Sequence, residues 1–257
     1  MMTATELGLA PGALKDRVAI VTGSAAGIGL AVTNLLAQLG ATVVAVDRQP
    51  QEAATAGVHL VQADLSRVDE IDDWVGRVSD DHGQVSILVN AAGVTGSPMM
   101  ESTVAEWERV LRIDLIAPFA LIQSVGRRLL ASGTTGSIVS VGSSSASRPL
   151  PASGPYGAAK AGLESLTRGA AAELGSGGIN VNLVAPGVTR TQITVDAFGG
   201  DQGIERAVLE GPLSNLLGRP SEPIDIAAVI AFLCVPASRQ ITGQTLHVSA
   251  GNVVAAG

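Results

Sequence analysis

Short β-branched runs alternate along this chain with longer amphipathic stretches. The apolar runs at 18–22, 42–46, 58–62, 87–90, 137–141, 180–184 and 245–248 have the length of strands. Between them the spacing predicts helices near 27–39, 67–82, 103–131, 155–175 and 222–234. The strand candidates are almost continuously apolar rather than alternating, as expected where both faces of a sheet are covered. Strand–helix alternation of this kind predicts an α/β fold: a doubly wound, seven-stranded parallel sheet with right-handed crossovers and helices on both faces. No repeat, low-complexity tract or linker interrupts it, so residues 15–257 read as one domain behind a short flexible tail at 1–14. The stretch 188–220 departs from the alternation. With Gly199, Gly200, Gly203 and Gly211 spread through it, it reads as a long loop, and loops of that length are commonly lids over a site.

The first strand runs into Thr22-Gly23-Ser24-Ala25-Ala26-Gly27-Ile28-Gly29 and then into a helix. Glycines there suit a tight turn whose backbone approaches a ligand closely. The helix N-terminus adds free N–H groups and a positive dipole end, which suit a pyrophosphate. A glycine cluster alone is weak, and its position after a strand and before a helix strengthens it. The second strand ends at Asp47, eighteen residues after Gly29. A carboxylate there accepts hydrogen bonds from both ribose hydroxyls of an adenosine and repels a 2′-phosphate, which favours NAD over NADP. Arg48, next to it, pulls the other way, because a guanidinium can grip a phosphate.

The chain has one tyrosine, Tyr156, and one of its two lysines, Lys160, follows four residues later. Taken alone this is an ordinary helix pair. It is also a tunable acid/base pair: a free phenol titrates near pH 10, and a nearby ammonium favours its ionised form. Pro155 suits the first turn of a helix, which puts both side chains on one face at its start.

Composition narrows the chemistry. The chain has 257 residues, of which 46 % are hydrophobic and 15 % charged, enough to bury a sizeable core. No apolar run approaches the roughly 18 residues of a membrane span, and the high mean hydropathy of +0.37 suggests apolar surface covered by other subunits. A net charge of -7 and few aromatic residues do not fit a nucleic-acid surface. The N-terminus lacks a basic region and a long apolar stretch, and the single cysteine, Cys234, excludes an intrachain disulfide; both fit the cytoplasm. His59, His82 and His247 lie far apart with no ligand spacing, and no G-x-S-x-G elbow is present. Neither a metal site nor a Ser-His-Asp triad is expected.

With these residues in view the chain resembles the short-chain dehydrogenase/reductase family in its single-domain form, over 15–251. Thr22-Gly-x-x-x-Gly-Ile-Gly29 matches the family's cofactor turn, and Asp64-Leu65 its acidic–apolar pair after the third strand. Asn90-Ala91-Ala92-Gly93 resembles the motif that ends the fourth strand. Ser143 lies thirteen residues before Tyr156, the spacing of the family's catalytic serine. Pro186-Gly187-x-x-x-Thr191 matches the turn that meets the nicotinamide carboxamide. The stretch from Gly218-Arg219-Pro220 to Ile241-Thr242-Gly243-Gln244 resembles the closing helix and strand.

The resemblance implies a Rossmann fold that binds a nicotinamide dinucleotide at Gly23, Ala26, Gly27, Ile28, Gly29, Asp47, Arg48, Asp64, Leu65, Asn90, Ala91, Gly93, Pro186, Gly187, Val188 and Thr191, with Tyr156 and Lys160. It implies Tyr156 as general acid/base, Lys160 tuning it and binding ribose, and Ser143 orienting the substrate oxygen. Two departures stand out. Asp114 occupies a place where the family usually has Asn, whose backbone carbonyl holds a water linking the lysine to solvent, and an added carboxylate can alter that relay. Val248-Ser249-Ala250-Gly251 replaces the family's V-D-G-G, a change expected to affect packing more than chemistry.

The substrate walls are expected at 94–99, 145–151 and the lid, with Val94, Ser145, Leu150, Pro151, Val188 and Phe198 as contacts. Arg148 and Arg190 are the nearby basic residues in this reading, and a solvent-facing role is expected of each rather than a clamp on a carboxylate. A neutral secondary alcohol or ketone is therefore the expected substrate, with a 3-oxoacyl thioester and NADPH as the alternative. A non-catalytic dinucleotide sensor, a dehydratase and an epimerase are further readings. The helix after Tyr156 is small or apolar nearly all round, which with the family resemblance predicts a homotetramer, or at least a dimer.

Overall fold

β1 (Val18–Thr22) and β4 (Val85–Asn90) are buried at every residue and lie side by side in the middle of the molecule. They belong to a seven-stranded sheet ordered β3-β2-β1-β4-β5-β6-β7. The other strands are β2 (Thr42–Asp47), β3 (Val58–Gln62), β5 (Gly136–Val141), β6 (Ile179–Pro186) and β7 (Thr245–Val248). Every pairing is parallel. The structure is a computed structural model that describes residues 2–50, 55–149 and 154–254.

Alternate residues of β1 serve opposite faces of the sheet. Ala19 and Val21 point into a cluster with α1 (Gly27–Gln38) and α8 (Pro223–Cys234). Val18 and Ile20 join a second cluster with α2 (Ile71–His82), α4 (Ala117–Ser132) and α5 (Gly154–Leu174). Two covered faces explain why the strands read as unbroken apolar runs. Cys234 belongs to the first cluster, where burial pushes its thiol up to about 12. The fold is thus the doubly wound Rossmann type. The chain reverses its direction of travel across the sheet between β1 and β4, which opens a crevice at their carboxyl ends.

Three features differ from the sequence expectation. The single helix expected over 103–131 is α3 (Val104–Leu111), a π-helical turn over Arg112–Ile116 and then α4. In that turn Ala117 N–H donates to Arg112 O, five residues back. Pro118, in the first turn of α4, has no N–H to offer Asp114 O, so the regular α ladder breaks there. The long loop expected over 188–220 contains α6 (Gln192–Phe198) and α7 (Asp201–Leu209). Thr191 caps α6 in a reciprocal box with Thr194, and left-handed Gly199 stops it.

The third difference concerns the N-terminal residues expected to form a free tail, which pack against α1. Leu14 N–H donates to Leu39 O (2.9 Å), Ala4 N–H to Gln38 Oε1 (3.3 Å), and both Ala4 and Leu14 are buried in the first cluster. Their apolar side chains cover surface of α1 that would otherwise face water.

Candidate active site

The glycine turn can hold only the backbone it has. A Cβ on Gly29 would lie 2.0 Å from Gly23 O, and one on Gly23 would lie 2.6 Å from Ala92 Cα. The turn is pinned to the end of β4 by Thr22, whose Oγ1 accepts from the N–H groups of Ala91 (3.2 Å) and Ala92 (3.3 Å). No side chain caps α1 at Ala26, so the first-turn N–H groups remain available to an anion. A tight glycine turn that leads into an uncapped helix end fits a pyrophosphate, and these residues would hold it. Asp47 closes one side of this cradle. Its Oδ2 accepts from Ala25 N–H (3.1 Å) and its Oδ1 from Gln49 N–H (2.9 Å), which fixes the carboxylate while leaving lone pairs on both oxygens.

Farther along the same edge, Asp64 is exposed, and its carboxyl is held below the usual range by the backbone and side chain of Ser66. Arg48 is exposed and Leu65 half-buried. Asn90 is buried; its Nδ2 donates to Ser140 Oγ (3.2 Å), while its Oδ1 has no hydrogen-bond partner. On the far side Gly187 N–H donates to Val248 O (3.1 Å) just past Pro186. The Thr191 methyl lies 3.2 Å from where a Cβ on Gly27 would stand, so the segment after β6 begins on the glycine turn.

Ser143, Tyr156, Lys160 and Asp114 come from three different segments. Ser143 follows β5 and is buried; its Oγ accepts from Ser145 N–H (3.1 Å), which leaves the hydroxyl proton free to donate. Tyr156 and Lys160 sit in the first turns of α5, with Lys160 Nζ 5.4 Å from the centre of the phenol ring. Lys160 is 4 % exposed and donates to Val141 O (3.0 Å). Its counter-ion is Asp114, which is fully buried, with Oδ2 3.2 Å away. Asp114 Oδ1 accepts from Val94 N–H (2.9 Å). Burial pushes the Lys160 ammonium towards its neutral form, but the Asp114 carboxylate and Tyr156 outweigh it and hold its pKa above that of an ordinary lysine. Asp114 Oδ2 makes this ion pair without an aligned hydrogen bond.

The expected substrate contacts divide. Val94 and Ser145 are half-buried beside these groups. Phe198 and Val188 pack instead in a separate cluster with Ile204 and Val208 of α7, so packing within the 188–220 segment accounts for both. Leu150 and Pro151 lie outside the described residues. Neither arginine expected near the substrate faces solvent freely. Arg190 pairs with Asp201, Glu205 (2.5 Å) and Glu222 (2.9 Å), which holds its guanidinium well above its usual pKa. Arg148 donates to Asn252 O (2.6 Å).

Sequence reasoning missed three features. Val141 O holds Lys160 through a backbone atom, which no residue type announces. Gly93 lets the ion pair form: a Cβ there would lie 3.1 Å from Asp114 Oδ2 and 3.5 Å from Lys160 Nζ. Arg109 reaches from α3 to Thr95 O (2.9 Å), a basic side chain on the loop that follows β4. His59 and His82, distant in sequence, bring their ring centres to 4.4 Å. Among the described residues no group of three or more metal-ligating side chains is placed to hold an ion.

Comparison with known proteins agrees with this geometry. A family model described as enoyl-(acyl carrier protein) reductase matches residues 23–252. The chain is 34 % identical over 246 residues to 3-oxoacyl-[acyl-carrier-protein] reductase FabG of Vibrio harveyi, covering 93 % of this chain and 98 % of that one. It is 32 % identical over 253 residues to D-threitol dehydrogenase of Mycolicibacterium smegmatis, covering 94 % of each. Among solved structures, levodione reductase superposes with a TM-score of 0.86 at 28 % identity, covering 94 % of this chain and 99 % of that one. With the cradle, the sheet order and these relatives agreeing, the chain belongs to the short-chain dehydrogenase/reductase family of nicotinamide-dependent oxidoreductases.

Proposed function

We propose that this chain is an NAD(H)-dependent oxidoreductase acting between a neutral secondary alcohol and its ketone. The observation that carries the reading is Lys160, a buried ammonium held beside the phenol of Tyr156 at the mouth of a dinucleotide cradle. Bound nicotinamide supplies or accepts the hydride. Tyr156 gives a proton to the carbonyl oxygen in reduction and takes the hydroxyl proton in oxidation. Ser143 donates its free hydroxyl proton to the same oxygen and stabilises the charge that develops there. Lys160 stands against the phenol and binds the nicotinamide ribose.

Support for NAD comes from Asp47, whose anchored carboxylate has lone pairs for two ribose hydroxyls and a charge that opposes a 2′-phosphate. Support for a neutral substrate comes from Arg148 and Arg190, both already engaged within the protein. A second reading, reduction of a 3-oxoacyl thioester with NADPH, is favoured by the FabG relative and by Arg109 at the rim, a basic group an acidic carrier could meet. A panel of alcohols, ketones and 3-oxoacyl thioesters run with both dinucleotides separates the two.

The proposal extends to a cytoplasmic homotetramer with no nucleic-acid or membrane partner. No helix among the described residues is long and apolar enough to cross a membrane. The outward face of α5 carries Ala158, Ala161, Gly169 and Ala172 beside Ser165 and Arg168, and α4 exposes Phe119 and Leu130 beside Gln123 and Arg127, a largely small-residue surface suited to a symmetric partner.

Tyr156→Phe is expected to lower kcat by about 10²–10⁴-fold while dinucleotide affinity stays within about twofold; substantial residual turnover contradicts the acid/base role. Asp47→Ala is expected to weaken NAD binding by about ten- to a hundredfold, the worth of hydrogen bonds to a charged group, and to relax discrimination against NADP. Unchanged dissociation constants for both dinucleotides would remove Asp47 from the site. Light scattering is expected to give a tetramer across working concentrations, and a monomer rejects the assembly.

A further inference from the structure

Lys160 carries its counter-charge with it. The π-helical turn delivers Asp114 beneath the loop after β4, Val94 N–H fixes one carboxylate oxygen (2.9 Å), and the other lies 3.2 Å from Lys160 Nζ. Both side chains are almost wholly buried, at 4 % and 0 % exposure, so water screens little of their mutual field. The groups acting electrostatically on Lys160 are Asp114 from the π turn and Tyr156 from its own helix. The β5 end contributes the Val141 carbonyl, and the β4 loop contributes the backbone of Gly93 and Val94, which carries no titratable group.

A unit negative charge fixed immediately against a unit positive charge leaves a dipole. At Tyr156 the two contributions are of opposite sign, so Asp114 works against the attraction that Lys160 alone would exert on a phenolate. We propose that Asp114 is a positioning residue that holds Lys160 in place while cancelling most of its charge, so that the positive charge activating Tyr156 as a base arrives chiefly with the oxidised nicotinamide. The empty site and the site with reduced cofactor then lack a strong net positive field, whereas the oxidised cofactor meets a site one unit of charge more favourable to it than an Asn at this position would make.

The inference rests on the hydride-transfer reading for its kinetic consequence but has a binding readout that needs no substrate. The test measures dissociation constants of the oxidised and reduced forms of the preferred dinucleotide, by fluorescence and calorimetry, for wild type and Asp114→Asn. Taking the ratio of the two constants removes effects common to both forms, such as lost contacts to ribose. Asp114→Asn is expected to lower the preference for the oxidised form by about tenfold, and to move the rising limb of the pH profile for alcohol oxidation about one pH unit towards acid. A residue acting only through packing would change thermal stability or both affinities together and would move neither the ratio nor the limb.

The double variant Asp114→Asn/Lys160→Met removes both buried charges and covers the case in which the single variant does not fold. It is expected to keep the wild-type ratio, although both affinities fall. Unchanged ratio and limb in Asp114→Asn, or a double variant whose ratio shifts by about tenfold, overturns the proposal. Loss of turnover with every alcohol and ketone, with the ratio shifting as expected, would instead count against the substrate reading alone.

Discussion

A lysine ammonium buried to 4 % exposure constrains this molecule more than any other single group. Taking such a charge out of water costs several kcal/mol unless a partner of opposite sign and hydrogen-bond acceptors replace the lost hydration. Asp114 and Val141 O meet that need, and they come from segments far apart in the chain. The π-helical turn, the glycine at 93, the end of β5 and the start of α5 must all be in register for the ion pair to close. Its requirements therefore tie together the ends of β4 and β5, the π turn and the start of α5.

The sheet makes that gathering possible. Parallel strands bring all their carboxyl ends to one edge, and the change of direction between β1 and β4 opens a crevice there. The glycine turn after β1 lies against the backbone after β4 through Thr22, Ala91 and Ala92, so the dinucleotide cradle and the loop over the ion pair share one hinge of contacts. The segment that follows β6 starts on the same turn, where Thr191 meets Gly27. Arg190 then binds α7 to the start of α8 through three carboxylates, so the arginine that sequence alone offers to solvent holds these two helices together instead.

Much of this was legible in the sequence because it depends on local pattern. The apolar runs located all seven strands, most plainly the central ones that are buried on both faces, and β1, β3 and β7 fall where the pattern put them. The glycine turn, Asp47, Ser143, Tyr156 and Lys160 were legible through spacing. Other features depend on contacts between distant residues or on signals that were present and overlooked. Pro118 marks the break that creates the π turn, but a strong helical period on both sides hides it. Thr191 and Gly199 are start and stop signals for α6, and the other glycines around them suggested a loop. The partnership of Asp114 with Lys160, forty-six residues apart, needed the fold, although the departure at Asp114 was visible as a residue type.

The central claim is hydride transfer between nicotinamide and a carbon bearing oxygen. The direct test supplies NADH deuterated at C4, one diastereomer at a time, with a panel of neutral ketones, and follows the alcohol product by mass spectrometry. Hydride transfer predicts an alcohol carrying one deuterium on its carbinol carbon from one of the two diastereomers. Alcohol formed without deuterium from either diastereomer, or oxidation of the dinucleotide without any alcohol, would contradict it.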